Sequence, residues 1–149
     1  MSRMTLQKRT GVATAVGLSG ALTAFAITQA SPFFSGDAGF CRCAGAGAFV
    51  AGFLLAGGFG KAGAQGWMWA AGTFACATVL GALCAVLFLP LDDFVARLEV
   101  PQMALGLLSG LAMGPFYVLE MLTSDLAVLL PWFGSILAIQ LLALYLREG

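Results

Sequence analysis

Hydrophobic and polar positions divide the chain into long apolar runs separated by short polar stretches. A head, Met1–Thr10, carries Arg3, Lys8 and Arg9, and 20 uncharged residues follow as Gly11–Ala30. At 1.5 Å per residue such a run makes about 30 Å of helix, enough for the hydrocarbon core of a bilayer. A basic head, an apolar run and small residues at Thr28 and Ala30 also fit a cleavable signal peptide. We read the segment as an uncleaved first span. Ser31–Cys43 reads as a loop, with turn signals at Ser31-Pro32 and Ser35-Gly36-Asp37 and opposed charges at Asp37 and Arg42.

Ala44–Gly60 is a 17-residue apolar run rich in Gly and Ala, at the lower limit for a span. Lys61–Gln65 is a turn. Gly66–Leu91 is a long apolar run opened by Trp67 and Trp69, which, like Trp132 near the start of the last span, suit a membrane interface, and it is closed by Pro90. Asp92–Gln102 holds the densest charge, yet Leu91, Phe94, Val95 and Leu98 recur at i, i+3, i+4 and i+7. That stripe predicts a short amphipathic helix lying in the interface, ended by Pro101. Met103–Leu122 and Leu126–Leu146 are two further spans. Only Thr123-Ser124-Asp125 joins them, which predicts an antiparallel hairpin with Ser124 or Asp125 capping the last helix.

The fold expected is therefore an all-α integral membrane protein, one transmembrane domain over residues 1–149. It is a bundle of five transmembrane helices, or four, spanning approximately 11–30, 44–60, 66–91, 103–122 and 126–146. With five crossings and the N-terminus inside, Arg3, Lys8, Arg9 and Lys61 face the cytoplasm against Arg42, Arg97 and Arg147. If 44–60 does not cross, Arg3, Lys8, Arg9, Arg97 and Arg147 stand inside against Arg42 and Lys61. The positive-inside rule favours the second count, and hydropathy favours five spans.

Composition agrees with the pattern. Hydrophobic residues make up 60% and charged residues 9%, about a third of the ~25% usual in soluble domains, so too few polar side chains remain to cover a soluble surface. Seven basic residues balance seven acidic ones, which leaves no basic face for nucleic acid. The chain has no His and no Asn. Catalysis by Ser-His-Asp or Cys-His units is excluded, as is His-ligated zinc or haem. Gly60-Lys61 is followed by Ala62, so no phosphate-binding loop of the G-K-[ST] kind is present. No cofactor is expected, and the chain is not expected to be an enzyme.

Glycine supplies the sharpest motif. Gly106, Gly110 and Gly114 recur every four residues in one predicted span, with Pro115 directly after them to loosen that helix. Small residues at that spacing make a smooth groove where another backbone can approach closely. Gly47/Ala51, Gly52/Ala56 and the series Ala13, Gly17, Ala21 repeat the device. Chance in a chain with 20 glycines is the plain alternative. Glu120 is the one carboxylate inside an apolar run and the candidate for an ion or proton path, although it lies close enough to the turn to reach water by snorkelling. Gln140 carries no charge and is expected to hydrogen-bond a neighbouring helix. Cys41 and Cys43 form a C-x-C pair that could handle a soft metal or a thiol exchange, whereas Cys76 and Cys84 read as small apolar packing residues.

Three functions follow in order. The first is a small accessory subunit that stabilises or assembles a larger membrane complex through Gly/Ala-rich helix faces. The second is a small homo-oligomeric channel or transporter with Glu120 in its path. The third is a membrane thiol- or metal-handling protein using Cys41 and Cys43. The partners expected are the lipid bilayer and other membrane subunits, or further copies of the chain. Without an Arg/Ser-rich transit pattern, a bacterial inner membrane with the N-terminus cytoplasmic is the expected location; an organellar membrane is the alternative.

Overall fold

The computed structural model describes residues 5–30, 38–88 and 100–148, with side chains not described at 85–88, 100–107 and 148. Five α-helices account for nearly all of it: α1 (Leu6–Ala30), α2 (Ala38–Leu55), α3 (Gly63–Phe88), α4 (Val100–Ser124) and α5 (Leu126–Glu148). Helix is what a chain of this composition must form in lipid, because only helices satisfy every backbone N–H and C=O within one segment. Among the described residues, four stretches are long and apolar enough to cross a bilayer: Leu6–Ala30, Ala38–Gly58, Gly63–Cys84 and Leu126–Arg147.

Two boundaries differ from the sequence reading. α2 starts at Ala38, so Cys41, Arg42 and Cys43 lie on a helix rather than in a loop. Pro101 opens α4 as its second residue instead of ending a separate helix. Proline suits that place because its missing N–H would have no helical partner there. Most of the expected interfacial helix, Asp92–Gln102, lies outside the described residues, as does Pro90.

Helix directions follow from the contacts. Gly20 of α1 meets Ala44 and Ala48 of α2, and Gly52 of α2 meets Val16, so these two helices run antiparallel. Gly81 of α3 abuts Ala48, and Gly58, in the 3-10 turn Ala56–Gly58, abuts Thr73; α2 and α3 are antiparallel as well. The Gly60 and Lys61 backbone is bonded by Gln140, near the C-terminal end of α5. Gly11, near the start of α1, faces Leu146. The first turns of α1 and α3 therefore share one end of the bundle with the last turns of α2 and α5; we call it the first end.

The second end gathers Ile27 of α1, Leu122 of α4 and Val128 of α5 in one buried cluster. Phe40 of α2 and Tyr117, Val118 and Met121 of α4 pack against it. α3 has 26 residues, about 39 Å, and ends at that second end. The chain therefore leaves α3 and begins α5 at the same end. Five alternating crossings would place the start of α5 at the opposite end from that of α1's last turn; Ile27 and Val128 are instead packed together.

Candidate functional site

The interior of the bundle is built on backbone approach. A Cβ on Gly20 would collide with Ala48 Cβ, and one on Gly81 would lie 3.1 Å from Ala48 Cα. Ala48 is thus clamped between α1 and α3 with no room for a larger residue. Gly17 and Gly45 extend the α1–α2 seam: a Cβ on Gly45 would sit 3.2 Å from Ala21 Cβ and 3.4 Å from Gly17 O. Such close approach is how helices associate in lipid, where no hydrophobic drive separates helix from tail.

The positions singled out in the sequence fall as follows. Gly47, Ala51 and Gly52 are buried on the inner face of α2, Ala56 is buried in the 3-10 turn that follows it, and Ala13 and Gly17 are buried on α1. Gly110 and Gly114 are half-buried on α4, on the side shared by Val118 and Leu122, while Leu108, Ala112, Met113, Phe116 and Leu119 are exposed. The side chain environment of Gly106 lies outside the described residues. Of these, Gly17 and Gly52 line the α1–α2 seam inside this chain. The sequence reading singled out Gly17 and Gly52 but not Gly20 and Gly81, the two glycines that close on Ala48, although Gly20/Ala24 and Ala77/Gly81/Ala85 carry the same four-residue spacing.

A cavity of about 60 Å³ lies toward the second end, among Ser19, Thr23, Ala48, Phe74, Thr78 and Trp132. Its hydroxyls are committed. Ser19 Oγ donates to Val16 O (2.7 Å), and Thr23 Oγ1 to Ser19 O (2.9 Å). Thr78 Oγ1 donates to Phe74 O (2.9 Å) and accepts from Trp132 Nε1 (2.9 Å). Trp132, expected at a membrane interface, is instead an inner residue: its ring lies 5.4 Å from that of Phe74 and its N–H ties α5 to α3. Toward the first end Val12, Val16, Phe59, Phe74, Ile136 and Ile139 fill the bundle as one apolar cluster.

Gln140 sits beyond that plug and is 0% exposed. Its Oε1 accepts from Gly60 N (2.9 Å) and its Nε2 donates to Lys61 O (2.8 Å). Arg147 Nη2 adds a bond to Gly57 O (3.1 Å). α5 thus holds the α2–α3 connection by three side-chain bonds to backbone. Gly60 has φ +74°, and a Cβ there would come within 2.6 Å of Ala143 O, so the connection also needs glycine. Lys61 Nζ lies 4.5 Å above the Trp69 ring and the Arg9 guanidinium 5.6 Å from the Phe53 ring, placing cations over aromatics at the first end.

Glu120 is exposed on α4 and borders neither this cavity nor the groove described below. Its backbone carbonyl accepts from Ser124 Oγ (2.7 Å) and Thr123 Oγ1 (3.0 Å). Of the two expected caps, Asp125 is the one used: its Oδ1 accepts from Ala127 N (2.8 Å). Cys41 and Cys43, now two residues apart on a helix, face different sides, so one metal cannot bridge them without unwinding α2. Cys76 is exposed and Cys84 half-buried. Among the described residues no three His, Cys, Asp or Glu side chains gather where a metal could sit. Comparison with protein-family models, curated proteins and solved structures finds no match for this chain.

Proposed function

We propose that this protein is a small non-catalytic membrane subunit, built as a four-crossing bundle of α1, α2, α3 and α5. It works by packing a flat face of α3 against a helix of another membrane protein. Between Phe88 and Leu126 the chain starts and finishes at the second end, so it crosses the bilayer an even number of times. α4 supplies one helix only, and a second crossing would fall to residues 89–99, which carry Asp92, Asp93, Arg97 and Glu99. Charges at the bilayer centre cost about 2.5–3.5 kcal/mol each on the insertion scale, so the even number is zero. α4 then lies at the second end of the bundle, joined to it through Val118 and Leu122.

Among the described residues, Lys8, Arg9, Lys61 and Arg147 stand toward the first end and Arg42 toward the second. Four against one supports a cytoplasmic first end, and a bacterial inner membrane as the setting. Among the described acidic residues, Glu120 and Asp125 stand toward the second end and Glu148 toward the first.

The observation that carries the subunit reading is the outward face of α3. Ala71, Gly72, Ala75 and Cys76 are all exposed, and a Cβ on Gly72 would meet nothing within 4 Å. α1 and α5 instead present Leu18, Leu22, Phe25, Leu130, Leu137 and Leu141 to lipid. Gly20 and Gly52 are filled from within the α1–α2 pair, whereas the space above Gly72 on α3 is open to a partner. A Gly72→Leu protein tests it. Melting in detergent is expected to stay unchanged while co-purifying subunits are lost; retention of the same partners at the same stoichiometry would refute the reading. A channel would need a polar lining through the bundle, and the hydroxyls near the cavity are bonded to backbone or to Trp132.

A further inference from the structure

A groove of about 430 Å³ runs along the bilayer-facing side of the α1–α2 pair. Its floor is Gly17, Ala21 and Gly45, its walls are Leu18 and Phe49, and Arg42 stands at the end nearest the second end of the bundle. The groove is shaped by the same close approach that joins the two helices. Because Gly17, Ala21 and Gly45 lack bulk, nothing fills the channel above the seam. From Arg42 to Phe49 is seven residues of helix, about 10 Å, or two thirds of one leaflet's ~15 Å of hydrocarbon.

We propose that this groove holds one acyl chain of an anionic phospholipid, with the Arg42 guanidinium meeting the phosphate. Both helices are long and apolar enough to span, so lipid is the medium that reaches their outer side. Arg42 is an exposed cation in the second turn of α2, at the depth where headgroups begin. A guanidinium makes short, paired, charge-assisted bonds to phosphate oxygens. The apolar trough directly below it lies on the line an attached chain would follow. Among the described residues Arg42, whose Nε also donates to Ala38 O (3.4 Å), is the one basic side chain at that end, and the acids described there, Glu120 and Asp125, lie on α4 and at the start of α5, outside the groove. The proposal rests on the membrane-spanning reading of α1 and α2 and is independent of the partner face on α3.

The test uses the full chain purified in a mild detergent, supplied with phosphatidylglycerol or phosphatidylcholine, and read by native mass spectrometry alongside thermal melting. The wild-type protein is expected to retain about one phosphatidylglycerol per chain at lipid levels where phosphatidylcholine is stripped. Arg42→Gln should abolish that preference. Ala46→Trp fills the groove from an exposed position on its wall, so it should abolish retention of both lipids while the melting temperature without added lipid stays that of wild type. Should Ala46→Trp itself melt lower, Ala46→Leu gives the same reading with less bulk. Unchanged lipid retention in the filled variants would overturn the proposal. So would a persistent phosphatidylglycerol preference in Arg42→Gln, or a wild-type dimer that Ala46→Trp converts to monomer, which would assign the groove to a second copy.

Discussion

Replacing Gln140 by Leu removes the two bonds that hold the α2–α3 connection onto α5 while nearly preserving volume. Wild-type Gln140 satisfies the buried N–H of Gly60 and the carbonyl of Lys61. Leucine leaves both unpaired. An orphaned buried N–H costs about 1–3 kcal/mol, and a carbonyl close to headgroup water costs less because water can reach it. Individual interhelical bonds in membrane proteins average only about 0.6 kcal/mol, since the unfolded chain also finds partners in the membrane. Together these bound the loss at about 2 kcal/mol, a roughly thirtyfold shift in the folding equilibrium. Reversible unfolding in mixed detergent micelles, followed by the fluorescence of the packed Trp132, measures it. Arg147→Met removes the neighbouring bond to Gly57 O and should couple to Gln140→Leu, because both act on one short segment. A Gln140→Leu loss below about 0.5 kcal/mol would show that apolar packing alone fixes this end of the bundle, and strict additivity with Arg147→Met would show that the two side chains act independently.

Gly20→Leu should prevent folding outright, and Gly20→Ala should cost about 1–3 kcal/mol by overpacking on Ala48, partly recovered in the Gly20→Ala/Ala48→Gly double variant; equal stability of the single and double variants would remove Ala48 as the clamped residue. Cysteine-labelling from either side of sealed vesicles should find residues introduced beside Lys8 and Arg147 on the same side; labelling from opposite sides would restore five crossings. Asp125→Ala should lower stability by about 1 kcal/mol through loss of the α5 cap, read in the same micelle titration. Glu120→Gln should leave any ion or proton flux in reconstituted vesicles at the wild-type level, because the side chain is exposed and outside the cavity.

Much of the candidate site was legible as residue type but not as place. Gln140 stands out in an apolar helix and was expected to bond a neighbour, yet its partners are backbone groups some eighty positions away. Trp132 looked like an interface residue because aromatic belts lie near span ends; its N–H bond to Thr78 and its ring contact with Phe74 draw it inside. The C-x-C pair looked suited to a metal as long as it lay in a loop. Once α2 begins at Ala38, helical geometry separates the two thiols.

The amino-acid sequence alone determined the solvent and the elements. With 60% hydrophobic and 9% charged residues, no water-facing surface can be made, and in lipid the backbone must close its own hydrogen bonds as helix. What tertiary structure decided is who lies beside whom. Periodic glycine announces that a face is smooth but carries no record of its neighbour, so only packing shows that Gly20 and Gly81 close on Ala48 from both sides. Hydropathy likewise counts helices that could cross without ordering their directions. That ordering comes from contacts between distant segments, Ile27 with Val128 and Gly60 with Gln140, which set α5 antiparallel to α1, and from the packing that brings the last turns of α4 to the second end.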